Sequence, residues 1–163
     1  RYLDQPDAVS WDKLLSPLVG MGGALIPITA GIEALLSTST DFSMWVKIIS
    51  LILIIASYAL GSYALIANRF FSGMVRIQSE RGHQVVSGGP YRWVRHPGYA
   101  GAILTYLAIP LLLDSLWSFI PVVLLVVVLI IRTSKEDSFL QDELAGYREY
   151  AARVRYRLIP GLW

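Results

Sequence analysis

Two long apolar runs constrain the fold of this chain more than any other feature of its sequence. Residues 14–36 contain a single charge, Glu33, near their far end, and residues 44–67 contain only Lys47. A helix needs roughly 20 apolar residues to cross the hydrocarbon core of a bilayer. Each run therefore predicts a membrane-spanning helix, and a mean hydropathy of +0.53 agrees with an integral membrane protein.

Two shorter apolar runs follow toward the C-terminus. Residues 98–113 and 116–131 are separated by a polar pair, residues 114–115. Each run is short for a full crossing, so the simplest interpretation is a tight helical hairpin that enters the membrane and returns. Pro110 and Pro121 lie near the predicted turn, where a break in the helix costs least.

The remaining segments are polar. Residues 68–97 carry arginines and glycines, which make them too polar to cross a membrane and too interrupted for one helix, so we expect a loop. Residues 132–163 are charged, with apolar side chains at the spacing of an amphipathic helix that Pro160 would end. These apolar positions are Phe139, Leu140, Leu144, Tyr147, Tyr150, Ala151 and Val154.

The distribution of basic residues predicts the topology. Of the 14 Lys and Arg residues, only Lys47 lies outside the N-terminal segment, the loop and the tail. Cytoplasmic segments of membrane proteins carry an excess of Lys and Arg, so both termini, the loop and the active site are predicted in the cytoplasm. The predicted fold class is all-α integral membrane with about four transmembrane helices, the last two a tight hairpin, together with the cytoplasmic loop and a C-terminal amphipathic helix. We expect a single domain, 1–163, with two N-terminal spans (1–67), the loop (68–97), the hairpin (98–131) and the cytoplasmic tail (132–163).

Several function classes are excluded by what the sequence lacks. It has no cysteine and only two histidines, His83 and His96, so a cysteine nucleophile is impossible and a metal site is not expected. It contains no GxSxG, GxGxxG or P-loop pattern, which argues against hydrolase, soluble-type nucleotide-binding and kinase functions. The net charge of +2 gives no reason to expect a nucleic-acid partner.

The segment GPYRWVRHPGYAG, residues 89–101, joins the loop to the hairpin. Pro97 biases the residue before it away from helix, so the third span is predicted to begin at Pro97 or Gly98. Free N–H groups and the positive end of the helix dipole would face the loop, and Gly98 and Gly101 would let a ligand approach the backbone. The alternative is an interfacial anchor, with aromatic rings in the headgroup belt and arginines on lipid phosphates.

A second polar cluster, Arg132, Glu136 and Asp137, follows the fourth apolar run. Arg132 and Glu136 are four residues apart and share a helix face, where a surface ion pair contributes only about 0.3–0.5 kcal/mol. A tight hairpin brings its two ends together, which would place this cluster beside His96 and Tyr99. The convergence of the two patches favours a functional site at the membrane edge.

The stretch HQVVSGG, residues 83–89, is a third candidate. Gln84, Val85 and Val86 could run extended before the glycines, and their backbone groups would need hydrogen-bond partners. A ligand with an edge of donors and acceptors, such as a purine, is one possible partner. A loop that packs on itself is the other.

The order and spacing of these elements resemble the isoprenylcysteine carboxyl methyltransferase family, which overlaps with phospholipid-methyltransferase-like membrane proteins. The resemblance rests on GPYRWVRHPGYAG, the helical hairpin, the R-x-x-x-E-D pattern and the YREYAARVRYRLIPG tail, and it covers residues 75–163. It implies an integral membrane enzyme that transfers a methyl group from S-adenosyl-L-methionine, with S-adenosyl-L-homocysteine as product, in a pocket covered by the loop and the tail.

The resemblance also implies residue roles. Arg132 would orient the substrate, and Glu136 would accept hydrogen bonds from the cofactor. Two positions depart from the family's pattern: Asp137 stands where a second glutamate is common, and Arg76 stands where an amide is expected. The implied cofactor-binding residues are His83, Gln84, Val85, Val86, Tyr91, His96, Pro97, Gly98, Tyr99 and Glu136.

The implied methyl acceptor is small or lipophilic, with an isoprenylcysteine-like carboxylate as one candidate. A carboxylate would need no general base, whereas an amine or thiol would lose a proton that His96 or Glu136 could receive. Two alternatives stay open: an NADPH-dependent membrane reductase of the sterol-reductase type, which has a similar RHP-x-Y hairpin, and a non-catalytic lipid-binding membrane subunit. The expected location is the inner membrane of a bacterium.

Overall fold

The computed structural model describes residues 8–163 and contains five α-helices in that part of the chain. Two short 3₁₀ helices, Ser79–Arg81 and Gly89–Arg92, lie in the loop. The first seven residues of the predicted domain, including Arg1, lie outside the described residues. The α-helices are α1 (Asp12–Leu35), α2 (Met44–Ala67), α3 (Pro97–Leu112), α4 (Phe119–Glu143) and α5 (Tyr147–Arg153).

Both long apolar runs form helices, as predicted. α2 has the predicted bounds, and α1 begins two residues before its predicted start. These two helices are long and apolar enough to cross a membrane. Much of their surface consists of exposed large apolar side chains, which suits contact with lipid rather than water.

The hairpin forms, but its turn is longer than predicted. α3 begins at Pro97, where the missing N–H of proline removes no helical hydrogen bond. The connection to α4 covers residues 113–118 rather than two residues, because the hydroxyls of Ser115 and Ser118 hydrogen-bond to each other at 2.7 Å and hold the chain in a non-helical turn. Asp114 has a φ of +56° within it.

The prediction of one long amphipathic helix in the tail is wrong. α4 continues without a break from the apolar run to Glu143, and the chain then turns at residues 144–146, where Gly146 has a φ of +81°. α5 has only seven residues and ends at Arg153, well before Pro160. The segment that follows leaves helix because its backbone pairs with the start of α3 instead.

Small residues set the packing of the bundle. α2 packs against α3, and α1 packs against α4 around Ile26, Leu125 and Leu129. At Gly101, a Cβ atom would lie 2.8 Å from the backbone oxygen of Ser57 on α2. The glycine therefore serves close helix approach, and the predicted use of Gly101 to admit a ligand at the backbone is not what this contact shows.

Gly101→Ala is expected to destabilise the bundle by about 1–3 kcal/mol, because the added Cβ forces α2 and α3 apart. Gly20→Ala is the matched control, since a Cβ at Gly20 in α1 would meet nothing within 4 Å. Thermal unfolding of both purified variants in the same detergent measures the difference. Equal midpoints for the two variants would contradict the close approach.

Polar contacts gather at the two ends of the bundle. At one end, buried Glu33 accepts hydrogen bonds from the hydroxyl of Ser115 and from the backbone N–H of Trp117, and Lys47 pairs with Asp114 at 2.7 Å. The loop, the start of α1 and the tail meet at the opposite end. The three segments that carry most of the basic residues therefore share one end of the bundle.

Candidate functional site

One cavity lies at the end of the bundle where the loop, the tail and the start of α3 meet. Its empty space is about 780 Å³, open mouth included. Most of the residues predicted to bind a cofactor line this cavity. They are His83, Gln84, Val85, Val86, Tyr91, His96, Gly98, Tyr99 and Glu136.

Two predicted site residues lie outside this lining. Pro97 is fully buried as the first residue of α3, where it shapes the helix start. Arg132 packs against the wall, with its guanidinium carbon 5.3 Å from the ring centroid of Tyr99. Both side chains are therefore one layer behind the cavity surface.

The predicted convergence of the two ends of the hairpin is confirmed. The hydroxyl of Tyr99 donates a hydrogen bond to Glu136 Oε2 at 2.6 Å, and Nε2 of His96 lies 3.3 Å from Asp137 Oδ1. The surface ion pair considered for Arg132 and Glu136 does not form. The guanidinium of Arg132 binds the carboxylate of a distant helix instead.

Asp137 is the polar centre of the site. Its side chain is fully buried on α4 and its two oxygens accept hydrogen bonds from three different parts of the chain. Arg95 reaches both oxygens, at 2.6 and 2.8 Å. The complete set of partners consists of Arg95, His96, Gln141, Tyr147 and Arg157.

These contacts fix the charge on Asp137. Burial alone would raise the pKa of its carboxyl, but hydrogen bonds from His96, Arg95 and Arg157 outweigh burial and hold the pKa far below 3.8. The ionised carboxylate can only accept hydrogen bonds. Nε2 of His96 therefore carries a hydrogen, which it donates to Asp137.

The tail hydrogen-bonds to the start of α3 through residues 154–157, which we call the strap. The backbone N–H groups of Arg95 and His96 donate to the carbonyl oxygens of Tyr156 and Arg157, each at 2.9 Å. The guanidinium of Arg95 adds bonds to the carbonyl of Val154 at 2.7 Å and to that of Arg155 at 2.8 Å. Asp137 and this strap together place α5 over the cavity.

His83 is held in one tautomer. Its Nδ1 accepts a hydrogen bond from the backbone N–H of Gln78 at 3.2 Å, and its ring lies 4.5 Å from that of Phe70. Burial lowers the pKa of His83, and the charge of Arg76 lowers it further. The neutral ring therefore presents Nε2–H as a donor rather than a base.

Residues 84–86 line the cavity, and the sequence left open whether their backbone groups pair within the loop or with a ligand. Within the described part of the chain, no N–H or C=O group of Gln84, Val85 or Val86 hydrogen-bonds to another residue. The valine side chains pack against the core that contains Tyr147 and Tyr150. An ordered backbone with unused donors and acceptors is suited to a ligand with a hydrogen-bonding edge.

Part of the cavity wall comes from residues that were predicted only as the apolar face of a tail helix. The hydroxyl of Tyr150 donates to the carbonyl of Tyr91 at 2.7 Å, which links α5 to the loop. Burial raises the pKa of both Tyr147 and Tyr150, so these rings stay neutral. The residues concerned are Leu140, Leu144, Tyr147 and Tyr150.

The loop contributes further wall residues that no sequence motif marked. They precede the HQVVSGG stretch and have no periodic pattern, so only the folded chain brings them to the cavity. Arg76, noted in the sequence as a departure, is among them. The set consists of Asn68, Phe70, Phe71, Ser72, Met74, Val75 and Arg76. Arg95, which lies within the junction segment GPYRWVRHPGYAG, also lines the cavity.

A second, more open cavity lies between α2 and α3. Its space is about 960 Å³, and its lining is largely apolar. Gly98 lines both cavities. The second cavity, which we call the interhelical groove, therefore reaches from the apolar part of the bundle to the edge of the first. Its other lining residues are Ser57, Tyr58, Gly61, Ser62, Leu65, Ile66, Gly101, Ala102, Thr105 and Tyr106.

The fold and the first cavity define a helical integral membrane protein with a cavity at one end of its bundle. The chain belongs to the isoprenylcysteine carboxyl methyltransferase (ICMT) family, whose model matches residues 43–142. This match includes α2, which the sequence motifs did not cover. A solved structure, the eukaryotic intramembrane Ras methyltransferase ICMT, shares the fold with a TM-score of 0.70 and 23% identity, over 97% of this chain and 58% of that one.

Two curated relatives show how far the similarity extends. A probable protein-S-isoprenylcysteine O-methyltransferase of Oryza sativa subsp. indica is 27% identical over 125 residues, 75% of this chain and 65% of the rice protein. The Delta(14)-sterol reductase TM7SF2 of Mus musculus is 33% identical over 92 residues, 55% of this chain and 22% of the mouse protein. The chain thus spans less than two thirds of each relative.

Proposed function

We propose that this protein transfers a methyl group from S-adenosyl-L-methionine to a lipophilic acceptor at the membrane surface. One observation carries the proposal: a single cavity joins a carboxylate, several aromatic rings and an unpaired stretch of backbone, all at positions that the family resemblance assigns to the cofactor. Membership of the ICMT family supports the same activity.

The residues of the cavity fit the chemistry of this cofactor. The open backbone at residues 84–86 suits the donor and acceptor edge of an adenine, and Glu136 suits hydroxyl or amino donors. The faces of Tyr91 and Tyr99 suit a sulfonium cation. When bound, the cofactor supplies a methyl group on a positively charged sulfur, and the protein's part is chiefly to position it against the acceptor.

The interhelical groove supports a lipophilic acceptor. Its walls are mostly apolar and it meets the cofactor cavity at Gly98, so an acyl or isoprenyl chain in the groove would present its polar end beside the cofactor. An isoprenylcysteine-like carboxylate is the acceptor to test first, because the rice relative is described as acting on protein-S-isoprenylcysteine. The basic residues favour a site on the cytoplasmic side.

A second candidate is an NADPH-dependent reductase of the sterol-reductase type. The similarity to the mouse Delta(14)-sterol reductase favours it, and Arg76 in the cavity lining offers a cation for the 2′-phosphate of NADPH. A methyltransferase remains the better account because the family model covers a larger part of the chain than the reductase does.

Calorimetric titration of the purified protein in detergent separates these functions. We expect S-adenosylhomocysteine to bind and NADPH not to compete with it. In a separate activity assay, we expect tritiated methyl groups from S-adenosylmethionine to appear on N-acetyl-S-farnesyl-cysteine. Binding of NADPH with no binding of S-adenosylhomocysteine would establish the reductase. Binding of neither compound would leave a non-catalytic, lipid-binding subunit as the function.

A further inference from the structure

A buried carboxylate at the start of α1 lies next to the site but outside everything assigned to it. Asp12 is fully buried, and its two oxygens accept hydrogen bonds from Arg132 Nε at 2.7 Å and Nη2 at 3.0 Å. These partners are 120 positions apart in the chain. Asp12 also lies outside residues 43–142, which the family model matches.

The same carboxylate holds the loop. Asp12 Oδ2 accepts a hydrogen bond from the backbone N–H of Val75 at 2.7 Å, and Arg132 Nη2 donates to the carbonyl of Gly73 at 2.7 Å. Two further hydrogen bonds join the start of the chain to the same part of the loop. The N–H of Val9 donates to the carbonyl of Val75 at 3.1 Å, and the hydroxyl of Ser16 donates to the carbonyl of Gly73 at 2.9 Å.

These contacts act on the cavity from two sides. Met74 and Val75 line the cavity, so fixing the backbone of residues 73–75 fixes one wall. On the opposite side, the guanidinium held by Asp12 packs on the ring of Tyr99, whose hydroxyl donates to Glu136 at 2.6 Å. Asp12 therefore fixes the position of two parts of the cavity wall. One is the backbone of residues 73–75, and the other is the pair of Tyr99 on α3 and Glu136 on α4.

We propose that Asp12 is a positioning residue for cofactor binding, and that Arg132 serves this contact rather than recognition of the acceptor. The proposal rests on the proposed function, because it concerns the site that would hold the cofactor. Asp12 takes the Nε–Nη2 edge of the guanidinium, and the carbonyl of Gly73 takes the second hydrogen of Nη2, so neither pair of parallel N–H groups is left for a substrate carboxylate. Arg132 therefore transmits the position of α1 to Tyr99 and to the loop.

The two possible roles of Arg132 predict different effects of Asp12→Asn, one on the KM for the acceptor and the other on the Kd for S-adenosylhomocysteine. If Arg132 recognised a carboxylate acceptor, loss of Asp12 would free the guanidinium and lower the KM for N-acetyl-S-farnesyl-cysteine. If Arg132 serves positioning, loss of Asp12 loosens both walls and raises the Kd for S-adenosylhomocysteine. We expect the second result, with KM for the acceptor not lowered.

A double-mutant cycle measures the contact. Asp12→Asn and Arg132→Gln are each expected to raise the Kd for S-adenosylhomocysteine about 10- to 100-fold, and the double variant no further, because both changes break the same unit. Asp12→Glu is expected to recover part of the affinity. A Kd within about twofold of wild type in Asp12→Asn, or fully additive effects, would overturn the proposal.

Additional measurements keep the test decisive. If Asp12→Asn fails to fold, Asp12→Leu with Arg132→Met removes the buried pair without leaving one charge alone. The Kd of this double variant is expected to rise likewise, and a wild-type Kd would overturn the proposal.

If wild type binds no S-adenosylhomocysteine, the proposed function fails, and hydrogen exchange of the Val75 amide decides the positioning role. Exchange faster in Asp12→Asn supports that role, and an unchanged rate overturns it.

Discussion

Asp137→Asn is expected to lower the free energy of unfolding by about 3–5 kcal/mol, which is the usual effect of breaking a buried ion pair by removing one partner. The carboxylate of Asp137 is fully buried and neutralises Arg95, which is itself only 7% exposed. An amide cannot balance that charge. The variant would leave the guanidinium of Arg95 buried beside the start of α3 without the carboxylate that it now pairs with.

The second guanidinium on the same carboxylate belongs to Arg157, which lies in the tail strap and is partly exposed. We therefore expect Asp137→Asn also to release the strap, so that limited proteolysis cuts the tail after α5 sooner than in wild type. Asp142→Asn is the matched control, because Asp142 lies on the same helix with an exposed side chain and pairs with exposed Arg148. Equal unfolding midpoints for the two variants would contradict the central role of Asp137.

Stability should depend on pH through the same group. The folded pKa of Asp137 lies far below the 3.8 of a free carboxyl, so the unfolded chain takes up protons on this group before the folded chain does. The stabilisation is therefore present above about pH 4 and is lost as the pH falls below that value. Asp137→Asn is expected to remove this part of the acid sensitivity, which unfolding measured from pH 7 to pH 3 would show.

The helices that could be predicted are those with strong local signals. α2 matches its predicted bounds because one long apolar run between polar residues determines both ends. α3 begins at Pro97 because proline restricts its own backbone and that of His96, whatever the rest of the chain does. Both signals come from residues that are close together in the chain, so one sequence is enough to predict these helix ends.

The tail shows where such signals fail. Its apolar spacing is helical from Phe139 to Val154, yet the helix breaks at Gly146 and ends at Arg153. Helical periodicity states which side chains share a face, and it does not state what that face packs against. The backbone of the tail finds stronger partners at Arg95 and His96, and tertiary hydrogen bonds replace helical ones.

The contacts between side chains could be predicted within the motifs and not between them. His96, Tyr99 and Glu136 meet as the hairpin required. The ion pairs of Asp12 and Asp137 join residues 120 and 42 positions apart, and nothing in one sequence selects those partners. Arg132 illustrates the difference, since its helical neighbour Glu136 was visible in the sequence and its actual partner was not.

Glu136→Gln is expected to raise the Kd for S-adenosylhomocysteine by about 10- to 100-fold. A hydrogen bond to a charged group contributes about 1.5–3 kcal/mol, and each 1.4 kcal/mol changes an affinity about tenfold. Glu136 is the carboxylate in the cavity lining, and one of its oxygens already accepts from Tyr99. The glutamine keeps the size of the side chain and its bond to Tyr99, so the change tests the charge.

Two companion variants locate the effect. Glu143→Gln changes an exposed carboxylate on the same helix and is expected to bind S-adenosylhomocysteine as wild type does. Tyr99→Phe keeps the aromatic face and removes only the hydroxyl that orients Glu136, so we expect a smaller rise in Kd than for Glu136→Gln. If instead Tyr99→Phe had the larger effect, the hydroxyl of Tyr99 would contact the cofactor itself, and Glu136 would serve to orient it. Unchanged binding in Glu136→Gln would remove the carboxylate from the cofactor site altogether.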